Sequence, residues 1–269
     1  ENGGVIDYVV SGIFGKISVN AGRMFGASMA ANIPRMQKVA VEDMKQAMER
    51  MWDSPMIKDE RSKLGDSYVK ERILAWIQKV KFTDDLRGEG FLDGAVAYAS
   101  PDGSAVIGDH ALLDIFNQKC SGVVGSAIGR KSLSDVYIHE YLHDAASKFG
   151  SSRNWIKHRG NFTYDVVDEG FIEYFTRQAL PELRHGAYQA ETEVIYTLVQ
   201  KYAKLYRVSK DQATAVIYSH FKLRPYSEIN NLFKVQGTSY YDSIDFIGVS
   251  MQNGKYDQAK QFISTLQKP

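Results

Sequence analysis

Apolar positions recur every three to four residues over most of this chain, so it reads as mainly helical. Ile138, Leu142, Ala145 and Phe149 form such a stripe. Ser132 and Asp135 give it an N-cap and an acidic first turn, and Gly150 gives it a stop, predicting a helix over 132–149. A second helix is expected over 35–52, with Met36, Val39, Met44, Met48, Met51 and Trp52 apolar. Ser54-Pro55 breaks it, and another helix is expected from Ser67 to Lys81. The carboxy-terminal part predicts helices over Ala187–Tyr206, Lys210–Phe221, Tyr226–Phe233, Ser239–Met251 and Tyr256–Leu266, punctuated by Pro225 and Gly254. Strand signals are few. Ala95–Tyr98 and Ala105–Ile107 flank Ser100-Pro101-Asp102-Gly103, a strong turn, and predict one hairpin. The expected class is α+β, predominantly helical, with a small sheet ahead of the 132–149 helix.

Residues 5–32 differ. Val5, Ile6, Val9, Val10, Ile13, Phe14, Ile17, Met24, Phe25 and Met29 alternate with Gly, Ala and Ser, and Asp7, Lys16 and Arg23 are the only charges. Such a helix packs on its own domain or lies against a membrane or carrier; the weakly basic polar face favours packing. Three regions are expected: an amino-terminal helical region 1–82, a central core 83–180, and a helical part 181–269 closing one side of a cleft. Among the 269 residues, 44% are hydrophobic and 24% charged, enough for a real core. The net charge of +1 does not favour nucleic acid as the main partner. The single cysteine, Cys120, excludes an internal disulfide and a Cys-based zinc site, and is expected as a buried small apolar residue. No run of 18 apolar residues predicts a transmembrane helix. The start at Glu1 rather than Met suggests a processed or excised product, which leaves a secreted or extracytoplasmic protein open. A monomer is expected.

Chemistry concentrates in His139-Glu140-Tyr141-Leu142-His143. On a helix, positions i and i+4 lie one above the other, so both imidazoles can reach one metal ion. Zinc accepts imidazole nitrogen and in catalytic sites takes three protein ligands and a water. Glu140, one position after the first histidine, is placed to take a proton from that water. Downstream lies Glu169-Gly170-Phe171-Ile172-Glu173-Tyr174. With both motifs, the segment from Ser132 to Arg177 resembles the gluzincin branch of the zincin metallopeptidases. The resemblance implies one Zn2+ per chain held by His139, His143 and Glu169, with Glu140 as general base and Glu173 behind a zinc-binding histidine. It implies a zinc metalloendopeptidase acting on a protein or peptide, with a small sheet whose edge receives the substrate strand.

An oxyanion donor is needed as well, and the resemblance points to a Tyr or His from the later helices. Tyr218, His220, Tyr196, Tyr240 and Tyr241 are candidates, with Tyr218 and His220 preferred; with 16 tyrosines most are packing residues. His158 could line the cleft, and His110 and His185 carry no supporting pattern. A di-iron reading is the rival metal chemistry: Glu140-x-x-His143 and Glu182-x-x-His185 supply two Glu-x-x-His pairs, with Glu169 and Glu173 as further carboxylates. Pro181 and Gly186 around the second pair argue against the helix interior it needs. Two other functions stay open: a zinc amidase acting on cell-wall peptide or another amide, and a metallopeptidase payload of a secreted toxin or effector.

Overall fold

The computed structural model describes residues 38, 40–83, 97–99, 105–108, 133–147, 163–181, 188–223, 227–234 and 243–269. The expectations for residues 5–32, for Ser132, Phe149 and Gly150, and for Cys120 lie outside them. Helix α1 covers residues 40–51. Met44, Met48 and Met51 all point into the core, so the methionine stripe is packing rather than an exposed surface.

Ser54-Pro55 ends α1 but also starts a helix that the sequence reading missed, α2 (Pro55–Leu64). The Ser54 hydroxyl accepts the Ile57 N–H at 3.4 Å, and Pro55 takes the first helical position, where no N–H is needed. Gly65, at φ 87, stops α2 and leads directly into α3 (Asp66–Lys79). Arg61 clamps the joint with two hydrogen bonds to Asp66, of 3.0 and 2.9 Å.

The sheet has three short strands: β1 (Lys81–Thr83), β2 (Ala97–Ala99) and β3 (Ala105–Gly108). β3 is central. It pairs antiparallel with β2, Ala97 opposite Ile107, which is the expected hairpin displaced by two residues at its start. It also pairs parallel with β1, Lys81 opposite Val106. The expected helix ending at Lys81 therefore gives way to a strand there. A three-residue strand is too short to show alternation, which is why periodicity missed it.

Helix α4 (Ser134–Ser147) packs on β2 and β3 with one side and on α5 (Thr163–Ala179) with another. Ile138, Leu142 and Ala145 are buried as the stripe demanded. Helix α5 is surrounded: it meets α2, α4, α6 (Gln189–Tyr206) and α9 (Ser243–Gln252). Around it lie α7 (Lys210–Leu223), the short α8 (Ser227–Asn230) and α10 (Tyr256–Thr265). The chain is predominantly helical, and one apolar cluster runs from Ala40 to Leu266. No described helix is long and apolar enough to cross a membrane.

Candidate metal centre

His139 and His143 project from the same face of α4, and Glu169 approaches them from α5. The Nε2 atoms of the two histidines are 3.2 Å apart. Glu169 Oε2 lies 3.0 Å from His139 Nε2, and its Oε1 lies 3.3 Å from His143 Nε2. Ligands about 2.0–2.2 Å from a tetrahedral zinc are separated from one another by roughly 3.3–3.5 Å. The 3.2 Å between the two imidazole nitrogens is close to such an edge; Glu169 turns a different oxygen to each histidine, and one ligand atom from each of the three residues lies within 4.8 Å of the others, a grouping that could hold a metal ion.

Glu173, one turn after Glu169, places Oε2 3.4 Å from His139 Nδ1. The His139 ring is thus held between two carboxylates, Nε2 toward the triad and Nδ1 toward Glu173. A carboxylate behind a ligand imidazole fixes its orientation and raises its basicity. Arg177 in turn donates its Nε–H to Glu173 Oε1 at 3.0 Å.

The electrostatics favour positive charge at the triad. Burial disfavours an imidazolium at His139, but the hydrogen bonds to Glu169 and Glu173 outweigh it and push the pKa up to about 10. His143 is raised too, Glu169 outweighing its burial. Burial also works against ionised Glu169, and the two histidines overcome it, holding its carboxyl well below the usual range. Glu140 behaves oppositely. It is buried, its Oε2 has no hydrogen-bond partner among the described residues, and burial raises its pKa against the pull of both histidines. A carboxyl so raised is a better proton acceptor.

The candidate donors scatter. Tyr218 is buried, with Glu60, Arg72 and Tyr141 near its phenol and the Lys222 ammonium over its ring. Tyr196 is exposed, accepts a 2.6 Å hydrogen bond from Gln200, and has the Lys210 ammonium over its ring. His220 is half-buried on α7, which packs against α4. Tyr240, Tyr241, His158, His110 and His185 lie outside the described residues. Glu182, the other half of the His185 pair in the di-iron reading, also lies outside the described residues.

One aromatic that the sequence reading passed over stands at the site. The Tyr188 ring stacks on His139, centroids 6.3 Å apart and planes 16° from parallel. Its backbone is left-handed (φ 53, ψ 43) just before α6. The helix expected from Ala187 starts two residues later, which puts Tyr188 outside it. The Tyr188 carbonyl accepts both the N–H and the hydroxyl of Thr192, at 2.9 and 2.7 Å. Burial, with Glu169, Glu140, Glu191 and Glu173 nearby, raises its pKa to about 12, so the phenol keeps its proton at neutral pH. An aromatic directly before a helix is the only sequence signal it leaves. No protein-family model, curated protein or solved structure matches this chain.

Proposed function

We propose that this chain is a zinc-dependent metallopeptidase of gluzincin type, hydrolysing peptide bonds with Glu140 as general base. The carrying observation is the His139–His143–Glu169 cluster, with one ligand atom from each within 4.8 Å of the others, beside the buried Glu140 carboxylate whose Oε2 has no hydrogen-bond partner among the described residues. His139, His143 and Glu169 would hold the ion. Bound there, zinc supplies Lewis acidity and lowers the pKa of water at its open position toward about 7.

The protein groups then divide the work. Glu140, with Oε2 unpartnered among the described residues and its pKa raised, takes a proton from the attacking water and delivers it to the departing amine. Glu173 keeps the His139 ring from turning. Tyr188, whose ring stacks on His139 and whose phenol keeps its proton, would be the donor to the carbonyl oxygen as it gains charge. A structural metal site has no use for Glu140, and this supports an enzyme over a scaffold.

Elemental analysis of the purified protein, Glu140→Gln and Glu169→Ala, together with release of peptides from fluorescein-labelled casein, tests the reading. About one zinc per chain is expected in the parent and in Glu140→Gln, with loss in Glu169→Ala. Proteolysis should appear only in the parent. Zinc without proteolysis would remove the peptidase assignment, and absence of zinc in the loaded parent would remove the metal centre.

A further inference from the structure

The residues around His139 form a closed circuit. Glu173 Oε2 lies 3.4 Å from His139 Nδ1. Glu173 Oε1 accepts Arg177 Nε–H at 3.0 Å, and Arg177 Nη1 donates to Gln189 Oε1 at 2.8 Å. Gln189 is the first residue of α6 and follows Tyr188, whose ring returns to stack on His139. One guanidinium therefore holds the carboxylate behind a triad histidine and the segment that carries the aromatic in front of it.

We propose that Arg177 is a positioning residue that couples the orientation of His139 to the placement of Tyr188. This inference rests on the metal-centre reading and extends it to how the site is held in register. Neither job needs Arg177 to touch a metal or a substrate. Both need a planar fork that reaches two acceptors in different directions, which guanidinium has and ammonium lacks. The circuit spans two helices that already pack closely, and ties the end of one to the start of the other. Glu173 and Arg177 are i and i+4 on α5, whereas Gln189 and Tyr188 open α6. Arg177 borders a cavity of about 320 Å³ with Tyr174, Gln178, Thr192 and Tyr196, so a shorter or uncharged side chain can be accommodated there without overpacking.

The two jobs separate experimentally. Zinc affinity, read by chelator competition, reports on the Glu173–His139 arm. Amide hydrogen exchange at Thr192, whose N–H bonds the Tyr188 carbonyl, reports on the α6 arm and needs no metal. In Arg177→Met, zinc affinity should fall about tenfold, as for other groups behind metal ligands. Thr192 exchange should accelerate by about tenfold, reflecting a loosened first turn. Arg177→Lys can still pair with Glu173 one turn away. It should therefore keep zinc affinity within about threefold of the parent while Thr192 exchanges as fast as in Arg177→Met. Gln189→Ala should behave like the lysine variant. Unchanged Thr192 exchange in Arg177→Met, or a lysine variant that restores both readouts, would overturn the proposal, as would loosened Thr192 with parental zinc affinity in Arg177→Met. A parent that binds no zinc would instead sink the metal-centre reading and the zinc arm with it, and Thr192 exchange alone would decide whether Arg177 holds the start of α6.

Discussion

Tyr188 shows how much a single backbone conformation decides. Two non-glycine residues among those described have positive φ, Tyr188 and Arg207, and they bracket α6. Arg207 closes the helix, where a left-handed residue is an ordinary stop. Tyr188 opens it, where N-cap residues are normally extended. Holding a side chain there costs on the order of 1–3 kcal/mol. The double hydrogen bond from Thr192 offsets part of that cost, and the result is a ring laid on His139. Helical periodicity cannot reveal this, because boundaries read from pattern are uncertain by about two residues, and that is the distance separating a first-turn tyrosine from this one. The candidate metal ligands were legible for the opposite reason: His139 and His143 are set by spacing within one helix, which no boundary error disturbs. If Tyr188 donates to the developing oxyanion, Tyr188→Phe should lower the turnover of labelled casein by about 10²–10³-fold. Zinc content should stay at the parental level, since the phenyl ring can still stack. Equal turnover in the two proteins would remove the phenol from the reaction.

The helices that carry the site were readable, and their mutual approach was not. Periodicity places α4 to within two residues of 132–149 at each end, and it places α3, α6, α7, α9 and α10 with small errors. It misses α2 because Ser-Pro was read only as a break, although serine before proline also starts a helix. Gly170 shows what pattern leaves out. It directly follows Glu169, and a Cβ built on it would lie 3.2 Å from Glu191 Cβ, 3.2 Å from Ile195 Cγ1 and 3.3 Å from Met251 Cε. The glycine lets α5 approach α6 and α9 closely, and that approach sets the depth of Glu169. Met251 can swing aside, but the two α6 contacts are near that helix's backbone. Alanine at this helical position gains about 1 kcal/mol of propensity and loses roughly 1–3 kcal/mol to overpacking. Urea unfolding of Gly170→Ala should therefore show a net loss of about 1 kcal/mol, and Gly170→Val a larger one, since branching adds bulk without the propensity gain. An alanine variant more stable than the parent would mean that α6 yields freely and that the close approach has no bearing on the site.

At the scale of the molecule, the least legible feature is a buried charge cluster that reaches α4 through Tyr141. Glu60 of α2 pairs with Arg72 of α3 and Lys222 of α7, and all three are largely buried. Arg72 also donates to the Tyr141 hydroxyl from Nε and Nη2, at 3.1 and 2.7 Å, and Tyr141 is the neighbour of Glu140 on α4. Four helices meet there through residues far apart in sequence, and no periodicity relates Glu60 to Lys222. Burial alone would raise the Glu60 pKa, but Arg72 and Lys222 outweigh it and the net shift is downward. A carboxylate whose folded pKa lies below its unfolded value near 4.3 contributes stability that is fully present above that value and lost as the pH falls through the folded one. Glu60→Gln leaves two buried cations without their shared anion, and breaking a buried pair from one side costs about 3–5 kcal/mol. At pH 7 urea denaturation should show a loss of that order. At pH 3 the gap should narrow, because the unfolded parent then binds the proton that glutamine never needs, and the parent loses stability the variant does not have. A gap that stays constant between the two pH values would show that Glu60 contributes shape and hydrogen bonding rather than charge, and that the brace behind Glu140 is held by packing of α2, α3 and α7 alone.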